Sequence, residues 1–213
     1  MKRILLALAL AVSFAVAQTD PSGNGGTGNP QTGSGGMMGG TGTSTTGYGT
    51  TMMGGQSMAA LGKVTGQEFD AAWMSQMVGH HEVAILMSAV ELAHGRVAKV
   101  RDAARKIIEA QTGEIVQMQN WLQAWYGAPP SKAHLGLMMT DLAGMMPAMT
   151  GAAMNDPDKT FLTLMIPHHQ GAVDMAKVAL RKANHAQLKA MAQKVIADQS
   201  REIQEFQSWL KGM

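Results

Sequence analysis

Residues 77–81, Met77-Val78-Gly79-His80-His81, and residues 165–169, Met165-Ile166-Pro167-His168-His169, are one motif written twice, 88 residues apart. Laid over itself at that offset, the segment 77–122 aligns with 165–210 without a gap, and 17 of the 46 positions are identical. Met87/Met175, Gln111/Gln199, Glu114/Glu202, Trp121/Trp209 and Leu122/Leu210 are among them. Agreement of this length at a fixed period marks the duplication of one supersecondary unit.

Outward from the motif, the unit is a helical hairpin. Thr65 with Glu68 three residues on forms a capping box ahead of Phe69, Trp73 and Met77, and the helix stops at Gly95. A second helix follows, with Val97, Val100, Ala104, Ile107, Ile108, Gln111, Ile115, Met118 and Leu122 on one face, ending before Gly127, Pro129 and Pro130. In the second copy, Asn155-Asp156-Pro157 is a strong helix start, the helix runs to about Ala183, and Asn184 with Gln187 caps the last helix. Its face is Leu188, Met191, Val195, Ile196, Gln199, Ile203, Phe206 and Leu210. One apolar stripe per helix cannot bury itself within a hairpin, so two hairpins close on each other. The expected fold is an all-α four-helix bundle over residues 63–213: repeat one at 65–126, a Met-rich connector at 127–154 and repeat two at 155–213.

Ahead of the bundle, residues 1–17 have the parts of a secretory signal: Lys2 and Arg3, the apolar run Ile4 to Val16, and Ala15-Val16-Ala17 as the cleavage site. Export to the periplasm or beyond, with cleavage after Ala17, is the expectation. Residues 18–62 hold 15 of the 25 glycines and read as a flexible tail, although Met37, Met38, Met52, Met53 and Met58 lie in it. No later run approaches the roughly 20 apolar residues of a membrane span. With Lys2 and Arg3 gone, 15 basic side chains face 15 acidic ones, which gives a polyanion such as nucleic acid nothing to recognise. The 213 residues contain no Cys, hence no disulfide and no thiolate metal site.

Methionine is the outlier, at 20 residues. Met fills irregular helical cores, and its thioether is also a soft ligand for Cu(I). At about 100° per residue, Met77, His80 and Met87 share a helix face, with His81 about 40° to the other side of Met77. Met165, His168, His169 and Met175 repeat the pattern. Thioether plus neutral imidazole without thiolate suits copper. A lone histidine reads as an ordinary buried residue, whereas two adjacent pairs at matching positions are costly to bury without a purpose.

Around the motif, Gly79 and Pro167 both weaken a helix just before the His pair, and Pro167 should bend its helix and free a carbonyl near Thr163. Gln111, Glu114, Gln199 and Glu202 are candidates to hydrogen-bond the imidazoles from behind, or else fix hairpin register. Trp121 and Trp209 read as core. Met138, Met145 and Met149 in the connector keep helical spacing with Leu135 and Leu142, which fits a packed helix as well as a metal site. His94, His134 and His185, unmatched by the repeat, read as surface residues.

The paired Met-x-x-His-His motifs, with Gln199-x-x-Glu202-Ile203 and Trp209-Leu210, resemble the domain-of-unknown-function 305 family from about Gln67 to the C-terminus. The resemblance implies a ferritin-like fold, export, and copper binding through Met77, His80, His81, Met87, Met165, His168, His169 and Met175. The functional expectation is an exported protein that binds, sequesters or chaperones Cu(I), with the ion and a copper-handling envelope protein as partners. A structural or interaction module without metal is the alternative. A ferritin-like redox enzyme is a minor one, because a di-iron bundle needs two Glu-x-x-His motifs. Only Glu91-x-x-His94 is present, opposite Ala179-x-x-Lys182.

Overall fold

In the computed structural model some helix ends have a local cause and others are held from distant residues. The structure describes residues 55–149 and 155–213. The elements are α1 (Gln56–Lys63), α2 (Gly66–His94), α3 (Ala98–Tyr126), α4 (Lys132–Asp141), α5 (Met145–Ala148), α6 (Pro157–Lys182) and α7 (Ala186–Leu210), with no strand among the described residues. The signal region 1–17, the methionines Met37, Met38, Met52 and Met53, and Met154 lie outside the described residues. α3 stops at Gly127, whose φ of +63° is the left-handed conformation that glycine adopts freely. α6 starts on the expected cap: the Asp156 side chain accepts from Lys159 N at 3.1 Å, with Pro157 in the first turn. It continues through Pro167 to Lys182.

Two expected caps are replaced. Thr65 makes no side-chain capping bond, so the Thr65/Glu68 box does not form, and Gly66 turns the chain at φ +58°. At the start of α7 neither Asn184 nor Gln187 provides a side-chain cap. The turn is instead held from the other hairpin: Asp70 of α2 accepts from Asn184 N at 2.9 Å and His185 N at 3.1 Å. Asp158 of α6 does the same for the α2–α3 turn, accepting from Arg96 N at 3.0 Å and Val97 N at 2.9 Å. Donors and acceptors are all 88 residues apart in pairs, so the duplication reaches back to Asp70/Asp158. Each hairpin ties down the turn of the other with a buried carboxylate.

α2 packs on α3 and α6 on α7, and the hairpins meet along α2 and α6. These two run antiparallel, because Trp73 Nε1–H donates to Met175 O at 2.9 Å while His80 lies against His168. Between them sits a core of Phe69, Trp73, Met77, Met118, Leu122, Phe161 and Phe206, all fully buried. The connector adds to it: Met138, Leu142, Met145 and Met149 are buried, and α4 lies across α2.

The last residues of the glycine-rich stretch, expected to be flexible, form α1. Asp141 accepts from Gln56 N at 3.1 Å and Ser57 N at 3.0 Å, and Leu61 is fully buried. A cap supplied from 85 residues away leaves no trace in local composition. Trp121 and Trp209 are half-buried rather than core, Trp121 stacking on Trp125 at 5.0 Å. Of the three histidines read as surface residues, only His94 is exposed. His134 lies 3.2 Å from Gln76 Nε2, and His185 bonds Asp70 at 2.7 Å and stacks on Trp125 at 3.9 Å.

Candidate metal centre

His80 and His168 occupy equivalent positions in the two repeats, and the antiparallel crossing of α2 and α6 brings them together. Their ring centroids are 3.8 Å apart. A residue that touches its own repeat mate lies on the axis relating the two copies, so this pair marks the local two-fold. His81 and His169 follow on either side, their rings 6.3 and 6.2 Å from those of His80 and His168. All four imidazoles are fully buried.

One residue of helix rotation, about 100°, turns His81 from α6 toward α3. There Glu114 Oε2 lies 2.8 Å from His81 Nε2. In the second copy Glu202 Oε2 is 2.7 Å from His169 Nε2, close enough to pair but off the line of a good hydrogen bond. Burial acts to raise the Glu114 carboxyl, but hydrogen bonds from His81 and Lys194 outweigh it and hold the group at about 2. Burial, reinforced by neighbouring imidazoles, holds His80 and His168 well below the ordinary histidine value. Both are therefore neutral at pH 7, with lone pairs free to bind.

A hydrogen-bond inventory shows which nitrogens those are. The acceptors Glu114 and the His80 carbonyl, 3.1 Å from His168 Nε2, require a hydrogen on the nitrogen they face. In the neutral His168 that leaves the lone pair on Nδ1, and in His81 it points Nδ1 away from the carboxylate. Neither nitrogen has a partner among the described residues, nor does His169 Nδ1, and the His80 ring meets only the His168 backbone, off the line of a good hydrogen bond. Buried polar atoms are nearly always satisfied, and each exception calls for a cause. An imidazole oriented by a carboxylate, its other nitrogen free in a dry interior, is how proteins prepare a histidine for a metal.

The eight donors expected from sequence do not converge on one point. Met77 and Met165 stand one helical turn before His80 and His168, within about 5–6 Å between Cβ atoms. Met87 and Met175 lie seven residues beyond, roughly 10 Å along the helix, too far to share an ion with the central pair. Among the described residues no three His, Asp or Glu side chains converge as a ligand set. Gln111 and Gln199 do not hold the imidazoles either: their Oε1 atoms are buried without a partner. Glu91 and His94 diverge, Glu91 being buried and His94 exposed, so they form no di-iron half-site.

Sequence reasoning missed Lys194, whose Nζ bonds Glu114 Oε1 at 2.8 Å, and the Asp70/Asp158 exchange. Extending the 88-residue comparison seven positions toward the N-terminus would have revealed the aspartates. Lys194 carries no signal beyond its identity with Lys106.

The profile of the family described as Domain of unknown function (DUF305) matches residues 23–122 and 98–210, one match to each half. Among solved structures, CopM in the Cu(I)-bound form is 29% identical with a TM-score of 0.58, covering 67% of this chain and 96% of that one. CopM in an Ag-bound form is 28% identical with a TM-score of 0.57, covering 67% and 96%. A DUF305 fragment from Deinococcus radiodurans is 27% identical with a TM-score of 0.55, covering 68% and 96%. No curated protein sequence matches the chain.

Proposed function

The chain belongs to the DUF305 family, and from that premise we propose that it is an exported copper-binding protein that holds Cu(I) between its two repeats. The observation that carries this reading is the close approach of His80 and His168, ring centroids 3.8 Å apart on the local two-fold, among buried ring nitrogens without partners. His80, His168, Met77 and Met165 are the ligands, and His81 and His169, oriented by Glu114 and Glu202, stand ready on either side.

The donor chemistry selects the ion. Zinc and iron want three or more nitrogen or oxygen ligands, which do not converge here. Cu(I) accepts imidazole with thioether sulfur. CopM, similar over most of its length, has been solved with Cu(I) and with Ag, an ion of the same soft character. The activity proposed is binding and holding of the ion. Export rests on the signal region, and no helix among the described residues is long and apolar enough to cross a membrane.

The test is Cu(I) titration against a chromogenic chelator, beside a variant with His80, His81, His168 and His169 changed to Ala. Tight binding by the wild type and its loss in the variant supports the centre. Equal binding by both moves the site to the methionines elsewhere in the chain, and no binding by either leaves a metal-free interaction module.

A further inference from the structure

The buried imidazoles are closed off on one side and nearly open on the other. On α2, Gly79 is two residues from His81, about 200° around the helix. α4 lies over that glycine so closely that a Cβ there would come 3.2 Å from Leu135 Cδ2. On the opposite side α3 and α7 do not close on each other. They leave a groove of about 220 Å³ lined by Ile107, Gln111 and Glu114 of α3 and Val195, Gln199 and Glu202 of α7. These are three pairs of repeat mates, so the groove straddles the same two-fold axis as the His80–His168 pair.

Between groove and imidazole there is one side chain. Glu114 and Glu202 line the groove and also touch His81 and His169. Gln111 and Gln199, 3% and 4% exposed, line it as well, and neither amide oxygen has a partner. The inner wall thus offers four acceptor side chains, two of them unsatisfied, which is what a cation shedding water requires. A cation already lies across it: Lys194 Nζ bonds Glu114 Oε1 at 2.8 Å and Asp198 Oδ2 at 3.0 Å. Its repeat mate Lys106 is turned to Asp102 on its own helix, at 2.9 Å, and leaves Glu202 uncovered.

We propose that the α3/α7 groove is the port through which the metal ion reaches the imidazoles, with Gln111, Gln199, Glu114 and Glu202 as its oxygen relay. Lys194 is a displaceable cation over the mouth. The proposal rests on the copper-binding reading and adds the route. Oxygen donors at the entrance and nitrogen and sulfur inside form a gradient of increasing softness, along which Cu(I) is passed inward.

The absence of Cys makes the test clean, because one introduced thiol is labelled at one place. Ala110→Cys, at the exposed edge of the groove, is capped with a bulky maleimide; Val116→Cys, on the same helix outside the groove and 49% exposed, is capped as the control. Folding is verified by circular dichroism, and anaerobic Cu(I) uptake from and return to a chromogenic chelator are followed by stopped flow. The groove label is expected to slow both directions by about tenfold or more with Kd nearly unchanged, the control label neither. Lys194→Met is expected to speed both about threefold by removing a like charge from the path. Wild-type rates in the labelled Ala110 variant overturn the port, and unchanged rates in Lys194→Met overturn the latch. Absence of Cu(I) binding by the unlabelled wild type overturns the copper reading itself, a separate result.

Discussion

α2 and α6 are copies of one helix with the same His pair, yet from Ala72 to His81 the one is buried on every side, while the other keeps a wet face. α1 and α4 lie on α2, and its Ser75, Gln76, Val78 and Val83 are all buried. On α6 the outward positions Thr163, Gln170 and Lys177 are exposed. The outer faces of the two copies differ, while Met, His-His and Met remain at both on the inner side. The shared weak point before each His pair therefore has two causes. Gly79 is small because α4 crosses there, whereas Pro167, half-buried, sits where no element presses so closely.

The largest asymmetry to test lies in the exchanged carboxylates. Asp70 holds two backbone N–H groups and the His185 ring and accepts from Tyr126 Oη at 3.3 Å; Asp158 holds two N–H groups and has the Glu91 carboxyl beside it. Removing either strands donors at a turn. Asp70→Ala is expected to cost about 4 kcal/mol and Asp158→Ala about 2 kcal/mol, read by denaturant titration. Equal costs would show that His185 and Tyr126 add nothing to the Asp70 cluster.

Next comes the glycine–proline position, where one substitution should have opposite signs. Gly79→Leu drives a side chain into Leu135 and Met138 and is expected to destabilise by about 2 kcal/mol. Pro167→Leu restores a backbone donor and is expected to stabilise by roughly 1 kcal/mol. A loss at both positions would mean that α6 uses its proline for packing.

Glu91 is a further difference, since its mate is Ala179. Burial first, and then Asp158 beside it, pushes its carboxyl up to about 8. Between the ordinary value of 4.5 and about 8 the folded chain keeps a proton that the unfolded chain has lost. The unfolded state then binds fewer protons, so stability falls as pH rises through that window and levels off above it. Glu91→Gln is expected to flatten this decline and to gain on the order of 2 kcal/mol at pH 9, measured as ΔG against pH. An unchanged slope would assign the decline to other groups.

How far the sequence could be read follows the same division. α6 shows its period because one face is wet, and α3, α7, Gly127 and Asp156-Pro157 announce themselves by local rules. The all-helical hairpin pair and the inward-facing motif were legible on that basis. α2 was located by its repeat mate more than by amphipathicity, because α4 makes its outer face apolar as well. α1 was hidden in glycine-rich sequence, its cap being Asp141. At the site, Glu114 and Glu202 were legible through the repeat, whereas the separation of Met87 and Met175 from the central pair needed the crossing point of α2 and α6. That crossing depends on Asp70 and Asp158 reaching across the bundle, a tertiary fact.

The smallest expected difference bears most directly on function. Glu114 and Glu202 orient equivalent imidazoles, but Glu114 is more enclosed, makes a well-formed bond to His81 and is fixed by Lys194, while Glu202 meets His169 off-line and lacks that lysine. Replacing a carboxylate by an amide keeps the volume and removes the charge that makes its histidine a better donor. Losses of tenfold are typical where such a partner orients a ligand, so Glu114→Gln is expected to weaken Cu(I) binding about tenfold and Glu202→Gln about threefold. Competition titration with the same chelator measures both. Equal losses would mean that the two halves contribute alike and that the Lys194 asymmetry concerns entry alone. No loss in either would detach His81 and His169 from the bound ion, leaving the axis pair with Met77 and Met165 to hold the ion alone.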